Sequence, residues 1–128
     1  MPYTINRLIS DVELAEVDTR TRAALAVNGF GVLTEIDVAA TMKKKIGVEM
    51  SAYRILGACN PQMAYQAIGI EPRVGAMLPC NVILRVVDGG IEVSAIDPAA
   101  SMMAIVNPGL KVLAERVRDM LIRVVAEI

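Results

Sequence analysis

The stretch YRILGACNPQMAYQAIGIEPRVGAMLPCNVIL, Tyr53 to Leu84, decides the architecture. It holds both cysteines of the chain, each followed by asparagine and each close to a proline. Tyr53 to Ala58 has the composition of a strand. Asn60-Pro61 then reads as a helix start, because asparagine accepts from the orphan amides of a first turn and proline supplies a preset φ at the first helical position. Met63, Ala64, Ala67 and Ile68 give that short helix its buried side. Glu71-Pro72 ends it, and Arg73 to Leu78 provide one further turn before Pro79. Cys80 to Val87 and Ile91 to Ile96, joined by Asp88-Gly89-Gly90, form a β-hairpin whose glycines supply the positive φ that tight turns demand.

Working towards the N-terminus, Phe30, Val32, Thr34 and Ile36 alternate with Gly31, Leu33, Glu35 and Asp37, the period of a half-buried strand. Asp37 caps a short helix, Val38 to Ile46, with Val38, Met42 and Ile46 on one face, Gly47 closing it and Lys43 to Lys45 opposing the negative end of its dipole. Before it, Leu14, Val17, Thr21, Ala24 and Leu25 recur at helical spacing between Val12 and Asn28. Asp11 is the expected cap, Gly29 the left-handed closing residue, and Asp18 falls among the charged residues of the outer faces. Tyr3, Ile5, Leu8 and Ile9 make a first strand.

Towards the C-terminus, Asp97-Pro98 and Asn107-Pro108 repeat the cap-then-proline pattern and start two more helices. In the last, Leu110, Leu113, Val117, Leu121, Val124 and Ile128 form one stripe. The order is β, α, β, short α, β, short α, hairpin, then helices. An adjacent hairpin and a long terminal helix favour an α+β fold over a doubly wound parallel sheet. With 128 residues and no linker-like stretch, residues 1–128 are expected to form a single domain.

Composition removes several functions. The net charge is −1 with basic residues scattered among acidic ones, and 3% of residues are aromatic, so neither phosphate steering nor base stacking is supported and no nucleic-acid partner is expected. No uncharged run reaches the about 20 residues of a membrane span, and the run Val74 to Leu84 is also broken by Pro79, so no membrane partner is expected. The first residues lack the pattern of a secretory signal, and two cysteines do not make a disulfide scaffold, so the expected location is cytoplasmic. The absence of histidine removes Ser-His and Cys-His nucleophile pairs and His-ligated zinc and haem together. Hydrophobic residues reach 55%, above the about 45–50% of an average domain, which points to apolar surface for a partner subunit.

If the strand ending at Cys59 pairs antiparallel with the strand beginning at Cys80, both thiols lie at one end of the sheet beneath the intervening helix. Cys59 precedes a helix N-terminus, where free amides favour a thiolate, so both thiols are candidates for nucleophilic or redox chemistry. Free cysteine also serves as a small core hydrophobe. Two isolated thiols are not a metal motif within one chain, although a site shared by two subunits would supply four. Asn60 reads as a cap or a ligand contact, and Asn81 as an amide that orients a ligand or cross-links two loops. Met63, Met77, Met102 and Met103 are available to line a soft pocket or to fill core.

At GACNP, residues 57 to 61, and LPCNV, residues 78 to 82, the chain resembles the bacterial and archaeal family called domain of unknown function 302. The likeness extends to Gly29 through Asp37, to Tyr53-Arg54-Ile55-Leu56 and to Asp97-Pro98 after the hairpin. The resemblance implies a TATA-binding-protein-like fold, a curved antiparallel sheet backed by helices with a long C-terminal helix, commonly assembled as a dimer, and no established activity. It marks Cys59, Asn60, Pro61, Pro79, Cys80 and Asn81 as signature positions. Where the family often carries histidine, this chain has Tyr65, which removes support for a Cys/His ligand site.

The expectation is a small homodimer that binds a small ligand or partner near the Cys59/Cys80 end of the sheet. Cys59, Asn60, Tyr65, Cys80 and Asn81 are the candidate ligand contacts, and no metal or particular cofactor is indicated. The rivals are a thiol-dependent redox or transfer enzyme using Cys59 and Cys80, and a structural interaction module with no ligand.

Overall fold

Alternating side chains on each strand decide how the layers stack, and the register shows which residues share a face. The computed structural model describes residues 2–128. Five strands, β1 (Thr4–Ile9), β2 (Gly31–Asp37), β3 (Tyr53–Cys59), β4 (Cys80–Val87) and β5 (Gly90–Ile96), form one sheet in the order β1-β5-β4-β3-β2. Every neighbouring pair is antiparallel. The helices are α1 (Leu14–Val27), α2 (Val38–Ile46), α3 (Pro61–Ile70), α4 (Pro98–Ser101) and α5 (Pro108–Glu127), with a 3-10 turn over Pro72–Met77.

Leu56 and Ala58 of β3, Val82 and Leu84 of β4, and Val93 and Ala95 of β5 lie in one buried cluster with Val17 and Leu25 of α1 and Leu121 and Val124 of α5. All six residues of the predicted α5 stripe are buried. The end of α5 is held by Arg7 of β1, whose guanidinium donates to the carbonyls of Val125, Ala126 and Ile128 at 3.2, 3.0 and 2.7 Å. A cation is placed there to meet the negative end of the helix dipole. A second cluster, Ala67, Val74, Met102, Leu110, Leu113 and Ala114, joins α3, the 3-10 turn and the first half of α5.

The sequence reading needs four corrections. Asp11 does not cap α1; it adopts φ +58° in the turn after β1, and the helix starts at Leu14 without a side-chain cap. The alternation of β2 breaks at a bulge between Val32 and Thr34, so Phe30 is buried while Thr34 and Ile36 are exposed on an edge strand. An extra residue in one strand reverses the facing of everything after it. Asp18 is buried rather than on an outer face of α1, because Arg22 and Arg54 both reach it. Ile68 of α3 is exposed, and Ala67 is that helix's one fully buried residue.

Candidate functional site

At one end of the sheet the chain repeats a single local device. Asn60, Asp97 and Asn107 each precede a proline, sit in extended backbone and accept hydrogen bonds from the first amides of α3, α4 and α5. Asn60 Oδ1 accepts from the Met63 amide at 3.1 Å, Asp97 Oδ1 from Ala99 at 2.9 Å, and Asn107 Oδ1 from Leu110 at 3.2 Å. These caps satisfy donors that a helix start leaves free. They also fix the points at which α3, α4 and α5 begin around the sheet end.

The register brings the two cysteines to that same end. Cys59 is opposite Gly31 of β2, and Cys80 is opposite Ala58, one residue before Cys59. The turn between α1 and β2 closes over Asn60 at Gly29, whose φ is +83°; a side chain there would put its Cβ 3.1 Å from Asn60 Nδ2. Pro79, joined to Leu78 by a cis bond, packs over Gly57, where a Cβ would lie 2.8 Å from the proline ring.

These elements line an apolar cavity of about 40 Å³ that is partly open to the surface. Its walls come from Phe30, from Ala58 and Cys59 of β3, and from Asn60, Met63, Ala64 and Ala67 at and within α3. The loop into β4 adds Leu78, Pro79 and Cys80, Pro98 at the start of α4 and Met102 just beyond its end add two more, and α5 adds Leu110, Ala114 and Val117. Met102, Leu110 and Ala114 also line an outer groove of about 490 Å³ that runs between α4 and α5 and carries Met103, Val106 and Lys111. Val106 is 98% exposed at its edge. The inner volume suits a ligand of a few atoms, whereas the groove has the size of a small-molecule site.

The two thiols are free and differ in setting: Cys59 is half-buried and Cys80 is buried. Burial first, and the neighbouring charge of Cys59 second, push the Cys80 thiol up to about 11. Cys80 is therefore a neutral thiol at neutral pH, an apolar wall atom and a poor nucleophile.

Of the residues singled out from sequence, Cys59, Asn60, Cys80, Met63 and Met102 converge on the cavity. Tyr65 does not; it projects from α3 at 82% exposure. Asn81 is exposed and pairs with Gly57 in the strand register, one residue beyond Cys80, and it neither lines the cavity nor cross-links loops. Met77 lies outside both spaces, and Met103 lines only the groove. Sequence reasoning missed Phe30, Pro98, Leu110 and Ala114, whose signal was limited to ordinary core apolarity. The Asp97-Pro98 and Asn107-Pro108 helix starts were visible, but the place where those helices pack was not.

A second polar cluster lies on the helix-covered side near the other end of β3. Asp18 binds Arg22 Nε at 2.6 Å and Arg54 Nη1 at 2.7 Å, while Glu35 binds Arg22 Nη2 at 3.1 Å and Arg54 Nε at 3.3 Å. Burial raises the Asp18 pKa, but the bonds and charges of Arg22 and Arg54 outweigh it and hold the carboxyl below its ordinary value. Among the described residues, no group of three or more His, Cys, Asp or Glu side chains is gathered to hold a metal ion. No helix among them is long and apolar enough to cross a membrane.

No curated protein matches the chain. Among solved structures, the crystal structure of an uncharacterized conserved DUF302 protein from Bacillus stearothermophilus is similar over 99% of this chain and 98% of that one, with a TM-score of 0.93 and 24% sequence identity. At that identity the likeness is one of fold. Residues 6–128 match the family described as domain of unknown function DUF302, and the chain belongs to that family.

Proposed function

We propose that the protein is a homodimer that binds a small ligand at the Cys59/Cys80 end of its sheet. The observation carrying this reading is that Cys59 and Cys80 both line one apolar cavity, which shares Met102, Leu110 and Ala114 with a larger groove. An inner apolar recess beside a groove with one cation, Lys111, fits a mainly apolar molecule bearing an anionic end. The other candidates, Tyr65 and Asn81, do not contact this recess and drop out of the ligand set.

The dimer rests on exposed apolar surface: Leu33, Ile36, Ile46, Val48 and Met50 are exposed around β2 and α2.

Sedimentation of the purified chain is expected to give a dimer, and a screen of apolar carboxylates is expected to yield compounds that raise the melting temperature. A monomer whose melting is indifferent to the screen would remove the reading.

A thiol enzyme is the second reading, and one observation favours it: Cys59 is only half-buried and directly precedes the N-terminal turn of α3. The raised pKa of Cys80 confines the nucleophile's role to Cys59. Alkylation followed against pH decides it, since an active thiol reacts well below the ordinary cysteine pKa of about 8.5.

A further inference from the structure

The sheet face turned away from α1 and α5 has a chemistry of its own. The register puts Glu92 of β5, Arg85 of β4 and Tyr53 of β3 in one cross-strand row, and Asn6 of β1, Ser94 and Ile83 in the next. These positions alternate along their strands with Ile9, Leu56, Val82, Leu84, Val93 and Ala95, which are buried in the core, so all six stand on the opposite face. Together with Tyr3 and Thr4 they line a depression of about 390 Å³, within the size range of small-molecule sites.

The two charges in this depression cancel. Arg85 donates to Glu92 Oε1 from Nε at 2.9 Å and from Nη2 at 2.8 Å, and the Ser94 hydroxyl donates to the same oxygen at 3.4 Å. All three bonds fall on one carboxylate oxygen, so Glu92 Oε2 remains to accept and Arg85 Nη1 to donate. An anionic ligand would meet Glu92 beside Arg85, and a cationic one Arg85 beside Glu92, so net charge gains it little. The pair also holds both long side chains in place before any ligand arrives, which lowers the entropy lost on binding.

We infer that this depression is a binding site for a neutral oligosaccharide. Besides the donor-only guanidinium and the acceptor-only carboxylate, its walls carry the hydroxyls of Thr4, Ser94 and two tyrosines and the amide of Asn6, which donate and accept alike. A sugar hydroxyl does the same, and a pyranose carries several around its rim while its C–H faces stay apolar. The Tyr53 ring and Ile83 are the apolar surfaces those faces would cover. Size points the same way. The polar groups reach from β1 across β5 and β4 to β3, three strand spacings or about 14 Å, which is wider than a single sugar ring or nucleobase. Tyr53 and Cys59 are the first and last residues of β3, so this site is separate from the ligand reading at the Cys59/Cys80 end.

The chain has three tyrosines and no tryptophan, and two of the tyrosines line the depression, so intrinsic fluorescence reports its occupancy. The full chain is titrated with maltose, cellobiose and trehalose, with adenosine and inorganic phosphate as controls. At least one disaccharide is expected to give a saturable change that added salt leaves unaltered. Asn6→Ala, at an exposed position, and Glu92→Gln are each expected to weaken that binding about threefold or more, with the melting temperature verifying the fold. Tyr65→Leu removes the tyrosine outside the site and is expected to leave the response in place. Sugar occupancy is expected to leave Cys59 alkylation at its native rate. No saturable response to any of the three sugars, an equal response to adenosine or phosphate, or native affinity in both Asn6→Ala and Glu92→Gln would each overturn the inference. A sugar that slows Cys59 alkylation would overturn it too. The melting response to apolar carboxylates is read separately, so either site can fail while the other stands.

Discussion

The two ends of β3 solve opposite problems in the same layer between sheet and helices. Near its start, Arg54 completes a ring in which two arginines and two carboxylates each hold two opposite charges, with contacts of 2.6 to 3.3 Å. At its last residue, Cys59 joins Cys80 and two methionines around an apolar space. The charged end is fully paired: every buried side-chain nitrogen and oxygen among the described residues has a hydrogen-bond partner. The sulfur end is unpaired by nature, since thiols and thioethers make only weak hydrogen bonds. Charge that is internally satisfied holds the fold, whereas the sulfur-bearing end leaves an apolar cavity.

Breaking the charged end is expected to produce the largest effect. Asp18→Ala removes the buried carboxylate of the ring and leaves Arg22 and Arg54 to the more exposed Glu35 alone, and is expected to cost about 3 kcal/mol in denaturant unfolding. The same carboxylate makes stability acid-sensitive. Its folded pKa lies below the ordinary value of 3.8, so its contribution is present above that value and is lost as pH falls through the folded pKa. A native chain whose stability is flat through the acid range would show that the ring carries no weight.

At the sulfur end the sign is reversed. The Cys80 pKa is raised from 9.0 to about 11, so the neutral thiol favours the fold below pH 9, and that contribution drains away as pH rises towards 11. The loss is about 3 kcal/mol as an upper bound, at about 1.4 kcal/mol for each pKa unit. Cys80→Ala is expected to flatten this alkaline slope while leaving the acid slope intact. The smallest effect belongs to Tyr65, which is exposed on α3 away from both regions. Tyr65→Ala is expected to change stability by less than about 0.5 kcal/mol and to leave ligand response unaltered.

The sheet end was legible in sequence for a definite reason. Asn-Pro and Asp-Pro pairs carry both the capping group and the fixed φ in adjacent residues, so the starts of α3, α4 and α5 stand out. An antiparallel β3/β4 pair separated by one short helix then forces Cys59 and Cys80 to one end. The α5 stripe was equally clear, because six apolar residues at helical spacing leave no other face to bury. The bulge in β2 was invisible because Val32-Leu33-Thr34 alternates acceptably in either register, and only the pairing with Ala58 and Gly57 shows the slip. Asp18 looked like a surface charge because its partner Arg54 is 36 residues away. The cavity itself was only half legible, since the contributions of α4 and α5 depend on helix packing that local pattern does not encode.

The central claim is that an apolar ligand binds at the Cys59/Cys80 end, and the alkylation rate of Cys59 tests it most directly. Any apolar carboxylate that raises the melting temperature of the native chain is expected to slow alkylation of Cys59 in proportion to its occupancy. A raised melting temperature with Cys59 reacting at an unchanged rate would place the binding site elsewhere and contradict the account.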